Sequence, residues 1–220
     1  MGLERTTEQS GLSLIIPSPK PIDTDEAIRI TIAEFFVPIY RGDLIVTIGD
    51  VRIERASIVA LAGSCLSDVQ DRALHTCTTK GYRDFLVQAI DKSTKNEVID
   101  AKHIAAVAQL TEDSFDADSL KTMREAYQNE EAIAVRFPVT VKPKSGAAIE
   151  CYFDGHLLCP IELDQPGQAV MRRDLWVGEG PVGSGKLRQR ARGLTLINDG
   201  ALSKLLLSAE EATHLRWNTK

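Results

Sequence analysis

Ile133-Ala134-Val135-Arg136-Phe137-Pro138-Val139-Thr140-Val141 is the stretch on which the fold turns. Its odd positions are apolar without a break, and its even positions are small, polar or proline. A period of two is the signature of a strand with one face on a core. Pro138 has no N–H to give to a ladder, which predicts an edge strand. Upstream of Ala132 the pattern is mostly helical; downstream it is mostly strands. That order predicts an α+β fold: a helix, a β-hairpin and further helices first, then a mostly antiparallel strand-rich C-terminal half.

Working back from that stretch, Asp118 to Asn129 reads as a helix with Leu120, Met123 and Tyr127 on one face. Gly81 to Lys92 reads as another, through Tyr82, Phe85, Leu86, Ala89 and Ile90. Val98 to Leu110 is a helix expectation with weaker periodicity, and Ser57 to Leu74 reads as helix plus loop. Asp23 to Arg41 has the clearest ends. Asp23 and Glu26 have capping-box spacing, Gly42 stands at the C-terminal cap, and Pro38 should bend or end the last turn. Leu44–Ile48 and Val51–Arg55 flank Gly49-Asp50, a hairpin signal. Ahead of them all, Gly11-Leu12-Ser13-Leu14-Ile15-Ile16-Pro17 is a short apolar run stopped by Pro17, Pro19 and Pro21. It predicts a strand buried on both faces, which needs a sheet to join.

Working forward, Ala148–Asp154, Leu157–Leu163, Val170–Val177 and Gly193–Asn198 are strand candidates. Ala201–Leu207 begins a short helix, and Ser208 to Trp217 has capping-box spacing for one more turn. Both tryptophans, Trp176 and Trp217, read as packing anchors.

The bulk numbers exclude more than they select. The 220 residues carry a formal net charge of -5 and are 43% hydrophobic, ordinary globular composition. Charge is balanced along the chain: 12 basic against 15 acidic residues up to Leu110, then 14 against 16. There is therefore no basic nucleic-acid arm and no acidic tail. Cys65, Cys77, Cys151 and Cys159 form no C-x-x-C pair and no zinc spacing, so no metal site is expected. No apolar run approaches the ~20 residues of a membrane span. With no secretory signal, a cytoplasmic location with reduced thiols is expected.

Two patterns carry chemistry. Gly180-Pro181-Val182-Gly183-Ser184-Gly185-Lys186-Leu187 follows the phosphate-loop spacing until Leu187, where a magnesium-binding Ser or Thr belongs. The cations after it, Lys186, Arg188, Arg190 and Arg192, fall at every second residue. On a strand they would share one face, where phosphate or nucleic acid could bind. Asp154 and His156, two apart, would also share a face, but no G-x-S-x-G nucleophile accompanies them. No catalytic residue is assigned.

Three segments together resemble a family of large bacterial ATPases. They belong to the superfamily of gyrase, the ninety-kilodalton chaperone, histidine kinases and mismatch-repair ATPases (GHKL). Gly11–Pro17 is similar to the glycine-led strand "GTSIIIP" that ends the family's nucleotide domain, with Leu12 in place of Thr. Phe35-Phe36-Val37-Pro38-Ile39-Tyr40-Arg41-Gly42-Asp43-Leu44-Ile45-Val46-Thr47-Ile48 looks like "FFxxIxRGxLxVxI". Arg192–Leu202, Leu205–Leu207 and Ala209–Trp217 resemble the tail "RALVxIDDGPLAxLLGDAENPAHTxW", with Ser208 for Gly and Glu211-Ala212 for Asn-Pro.

The resemblance implies three regions. Residues 1–20 would be the remnant of an ATPase domain's last strand, 21–130 a helix and hairpin transducer-like subdomain, and 131–220 a strand-rich C-terminal subdomain. The family's ATP-binding motifs lie upstream of that strand and have no counterpart in this sequence. The chain would then be a non-catalytic coupling and interaction module, with bacterial anti-phage defence as the role the family's style suggests. It would hold no cofactor itself, and ATP with magnesium would enter only with an ATPase segment supplied by a partner. Lys80 and Lys186 are the analogues for a transducer residue that reaches the γ-phosphate. The expected partner is a protein or the missing ATPase segment, a homodimer is compatible, and no membrane is involved. The alternatives are a nucleic-acid-binding accessory protein using Lys186 to Arg192, and a nucleotide-binding enzyme using the loop 180–187.

Overall fold

The computed structural model describes residues 23–66, 79–102, 111–142, 146–159, 167–172, 175–180 and 191–207. The architecture is α+β. Helix α1 (Thr24–Arg41) leads into a hairpin of β1 (Val46–Ile48) and β2 (Val51–Ile53), then α2 (Ile58–Cys65) and α3 (Lys80–Thr94). Next come β3 (Ile99–Asp100), α4 (Ala117–Gln128), β4 (Ile133–Val141), β5 (Ile149–Leu158), β6 (Gly167–Arg172), β7 (Leu175–Gly180), β8 (Arg192–Ile197) and α5 (Gly200–Leu207).

The ends of α1 form as their residues dictate. The Asp23 carboxylate accepts from the N–H groups of Asp25 and Glu26, and Gly42 closes the helix at φ 87°. That left-handed backbone suits a residue without Cβ. Pro38 bends the helix without ending it. The distortion falls three residues earlier, at Phe35 (φ -118°, ψ 21°). The proline ring and its missing N–H act on the preceding turn, where the i−4 carbonyl loses its donor. The hairpin pairs Val46 with Ile53 and Ile48 with Val51 around Gly49, which also has positive φ.

The main sheet has the order β3-β4-β5-β8-β6-β7. The pairs β4/β5, β5/β8 and β6/β7 are antiparallel; β3/β4 and β6/β8 are parallel. Three expectations change. The start of the helix expected over Val98–Leu110 is strand: Ile99 and Asp100 pair with Val135 and Arg136, and the Ala101 N–H donates to the Arg136 carbonyl. A short segment beside an open sheet edge gains more from ladder bonds than from a weakly amphipathic helix. Val170–Val177 is two strands, β6 and β7, rather than one. Ala148–Asp154 and the start of Leu157–Leu163 are a single strand, β5. Pro138 lies beyond the two residues that β3 covers, on the part of β4 with no outer neighbour among the described residues.

The sheet's two faces have different cover. Ala132, Leu158, Met171, Leu194 and Leu196 join α1, α2 and α3 in the main core, built on Ile32, Phe36, Ile39, Tyr82, Phe85, Leu86 and Ile90. This core draws on both sides of residue 130. On the opposite face, Leu202 of α5 packs with Cys151 and Ile197, beside Val139, Val141 and Phe153. The unbroken apolar alternation of β4 belongs to this second face. On the other face the strand has the small, buried Ala134, after Ala132, which joins the α3 core, and small side chains let a helix approach a sheet closely.

The expected strand at Leu12–Ile16 and the expected turn at Ser208–Trp217 lie outside the described residues. Among those described, no helix is long and apolar enough to cross a membrane.

Candidate functional site

Several polar side chains of α3 reach across to neighbouring elements. Helix α3 starts at the Thr79 cap, whose hydroxyl accepts from the Tyr82 N–H. Its apolar residues recur at helical spacing and go into the core, while polar groups at its edges reach the strands. The Tyr82 hydroxyl donates to the Gly193 carbonyl at 2.8 Å. The Gln88 side-chain oxygen accepts from the Ala132 N–H at 3.2 Å. Ser93 Oγ lies 2.8 Å from His156 Nε2. At the outer end, the Tyr40 hydroxyl meets both oxygens of Asp91 at 3.3 Å, with the Arg55 guanidinium 5.4 Å above the Tyr40 ring. Burial and the Asp91 carboxylate both raise the Tyr40 pKa.

His156 is only 3% exposed. Burial pushes its pKa from 6.5 down to about 4, against the opposing pull of the Asp154 carboxylate and the Leu194 backbone. At neutral pH the ring is uncharged. Nδ1 is buried with no partner of hydrogen-bond geometry. Asp154 shares the face, as its spacing predicts, yet its carboxylate is committed elsewhere. Arg136, directly across on β4, donates from Nε to Oδ1 at 2.8 Å and from Nη2 to Oδ2 at 3.2 Å. The Asp154 hydrogen bonds raise the Arg136 pKa further, and its guanidinium also lies 4.6 Å over the Tyr152 ring.

Ser93, His156 and Asp154 thus make a sequence of types known from hydrolases without the hydrolase wiring. A carboxylate should hold His Nδ1 so that Nε2 can take the serine proton. Here both oxygens of that carboxylate are bound by arginine. An imidazole with so low a pKa is also a weak base. The arrangement clamps α3 to the sheet. Ser93 and Arg136 were not legible as partners, because a contact between residues 93 and 156 depends on how the helix lies over the strands.

Lys80 is the first residue of α3. Its side chain is 84% exposed and meets Asp84 at 3.1 Å, one turn along. Arg192 is the first residue of β8 and is buried, opposite Leu158 on β5 and Gly167 on β6. Lys186, Arg188 and Arg190 lie outside the described residues, as does the loop from Pro181 to Leu187. Cys65 and Cys151 are free thiols, and burial raises the pKa of Cys151 and Cys159. Among the described residues no group of three or more His, Cys, Asp or Glu side chains could hold a metal ion.

No family model, no curated protein and no solved structure matches this chain.

Proposed function

We propose that the chain is a non-catalytic coupling module, corresponding to the part of a GHKL-type ATPase that follows the ATP site. The observation that carries this reading is the mounting of α3. The helix is tied to β8 through Tyr82, to the start of β4 through Gln88, to β5 through Ser93 and to α1 through Asp91. Its first residue, Lys80, reaches into solvent. A force or charge met at Lys80 is passed to the whole sheet, because the packed helix cannot move without repacking its contacts. Resemblance of the flanking segments to the GHKL-type ATPases supports the same assignment.

Purified chain is expected to hydrolyse no ATP in the presence of magnesium, and robust turnover would refute the proposal. Joined with an ATPase segment, Lys80→Ala is expected to lower ATP turnover while leaving the melting temperature of the chain unchanged.

A further inference from the structure

Helix α4 touches β4, yet none of its twelve residues is buried. Leu120, Met123 and Tyr127 recur at i, i+3 and i+7 and form one apolar stripe. Leu120 and Met123 are half-buried, and Tyr127 is 47% exposed. The stripe borders a groove of about 370 Å³, with Glu112, Arg124 and Gln128 as its other walls. Every wall comes from α4 or the turn just before it, so no sheet residue closes the groove. The surroundings are acidic. From Thr111 to Glu131 seven exposed carboxylates stand against two cations, an excess of five that equals the net charge of the whole chain. Both cations are paired locally, Lys121 with Glu125 at 3.9 Å and Arg124 with Glu112 at 3.7 Å. Asp113, Asp116 and Asp118 gather at the helix start, and Glu130 and Glu131 at its end. Lys92 and Lys102 reach in from neighbouring segments, to Glu131 and to the Asp113 carbonyl, and still leave the patch negative.

We propose that this face docks a basic amphipathic helix of a protein partner, with an apolar side chain in the groove and Lys or Arg at both ends. Charge decides the class. A negative rim repels nucleic acid and anionic lipid, and it attracts a cationic partner before contact. The apolar stripe then needs an apolar counterpart, which a bare polycation lacks. Length sets the spacing: the twelve residues of α4 span about 18 Å, so the two acidic ends lie one short helix apart. Met123, unbranched and flexible, can adapt to the anchor. The proposal goes beyond the coupling reading and does not need it, since binding is read without nucleotide.

The probe is a labelled synthetic helix of about four turns, with leucines at i, i+3 and i+7 and lysines at both ends. Fluorescence anisotropy with the full chain is expected to show binding that weakens about fivefold between about 50 and 200 mM salt. Leu120→Ser with Tyr127→Ser is expected to weaken binding about tenfold while circular dichroism stays unchanged. Asp118→Asn with Glu125→Gln is expected to weaken it and to flatten the salt dependence. Asp25→Asn with Glu26→Gln, in the acidic first turn of α1, is expected to change nothing. If the serine pair fails to fold, amide exchange of the unsubstituted chain replaces it, with slowing expected in α4 and none in the first turn of α1. Absence of binding overturns the proposal, as does equal binding of a peptide with glutamates in place of the lysines. Binding that survives both α4 double substitutions overturns it too. So does self-association of the chain that the serine pair abolishes, which would assign the face to a second copy.

Discussion

Acidifying the protein should weaken it through His156, by an amount the structure sets. The imidazole is nearly completely buried and its pKa falls from 6.5 to about 4. Between those values the unfolded chain binds a proton that the folded chain refuses. Stability from this residue is therefore complete above pH 6.5 and is lost as pH falls towards 4. A tenfold change in proton affinity is worth about 1.4 kcal/mol, so the whole loss is about 3 kcal/mol, of which about 2 kcal/mol has gone by pH 5. Carboxylates titrate over part of the same range, so the comparison must be with a variant that cannot take the proton. His156→Gln is neutral throughout and can still face Ser93. Urea unfolding at pH 8 and pH 5 should show wild type losing about 2 kcal/mol more than His156→Gln. With a slope near 2 kcal/mol per molar, its midpoint falls by about 1 M more. Equal pH dependence in the two proteins would refute the reasoning, as would an imidazole resonance titrating near 6.5 in the folded chain.

Other substitutions probe separate contacts. Arg136→Ala leaves the Asp154 carboxylate, 7% exposed, without its guanidinium, and should cost about 3 kcal/mol in denaturant unfolding. Lys80→Ala removes only an exposed pair and should change stability by less than about 0.5 kcal/mol, so a comparable loss in both variants would contradict the burial difference. Gly155→Ala places a Cβ 2.8 Å from Phe137 Cε2 and should cost about 1–3 kcal/mol; Phe137→Leu in the same chain should recover part of it, measurable as a double-mutant cycle. Tyr82→Phe removes the hydroxyl that donates to Gly193 and should lower stability by about 1 kcal/mol, with faster amide exchange in β8.

Much of the local structure was legible because its causes are local. The Asp23 cap, the Gly42 stop, the Gly49-Asp50 turn and the nine-residue alternation from Ile133 each act within a few residues. The positions of α3 and α4 followed from apolar spacing for the same reason, although α3 runs two residues past its expected end at Lys92 and so takes in Ser93. Where a short segment had two uses, locality failed. Ile99 and Asp100 became strand because β4 offered them a ladder, and no window around residue 99 contains β4. The site followed the same rule. Asp154 and His156 were placed on one face by their spacing, but Arg136 claimed the carboxylate from across the ladder and Ser93 claimed the ring from α3.

The sequence by itself determined where many elements begin, which residues alternate or repeat, and that no apolar run is long enough for a membrane-spanning helix. Periodicity, capping and turn chemistry operate over at most a few turns of chain, so they can be read in order. Only the tertiary structure decided which apolar stripe meets which layer. The β4 alternation, the strongest signal in the chain, belongs to the face that α5 covers, while Ala132 and a buried histidine meet α3. The reason is steric and electrostatic. A helix settles where side chains are small enough to admit it, and buried polar groups then take whichever partners that packing brings within about 3 Å.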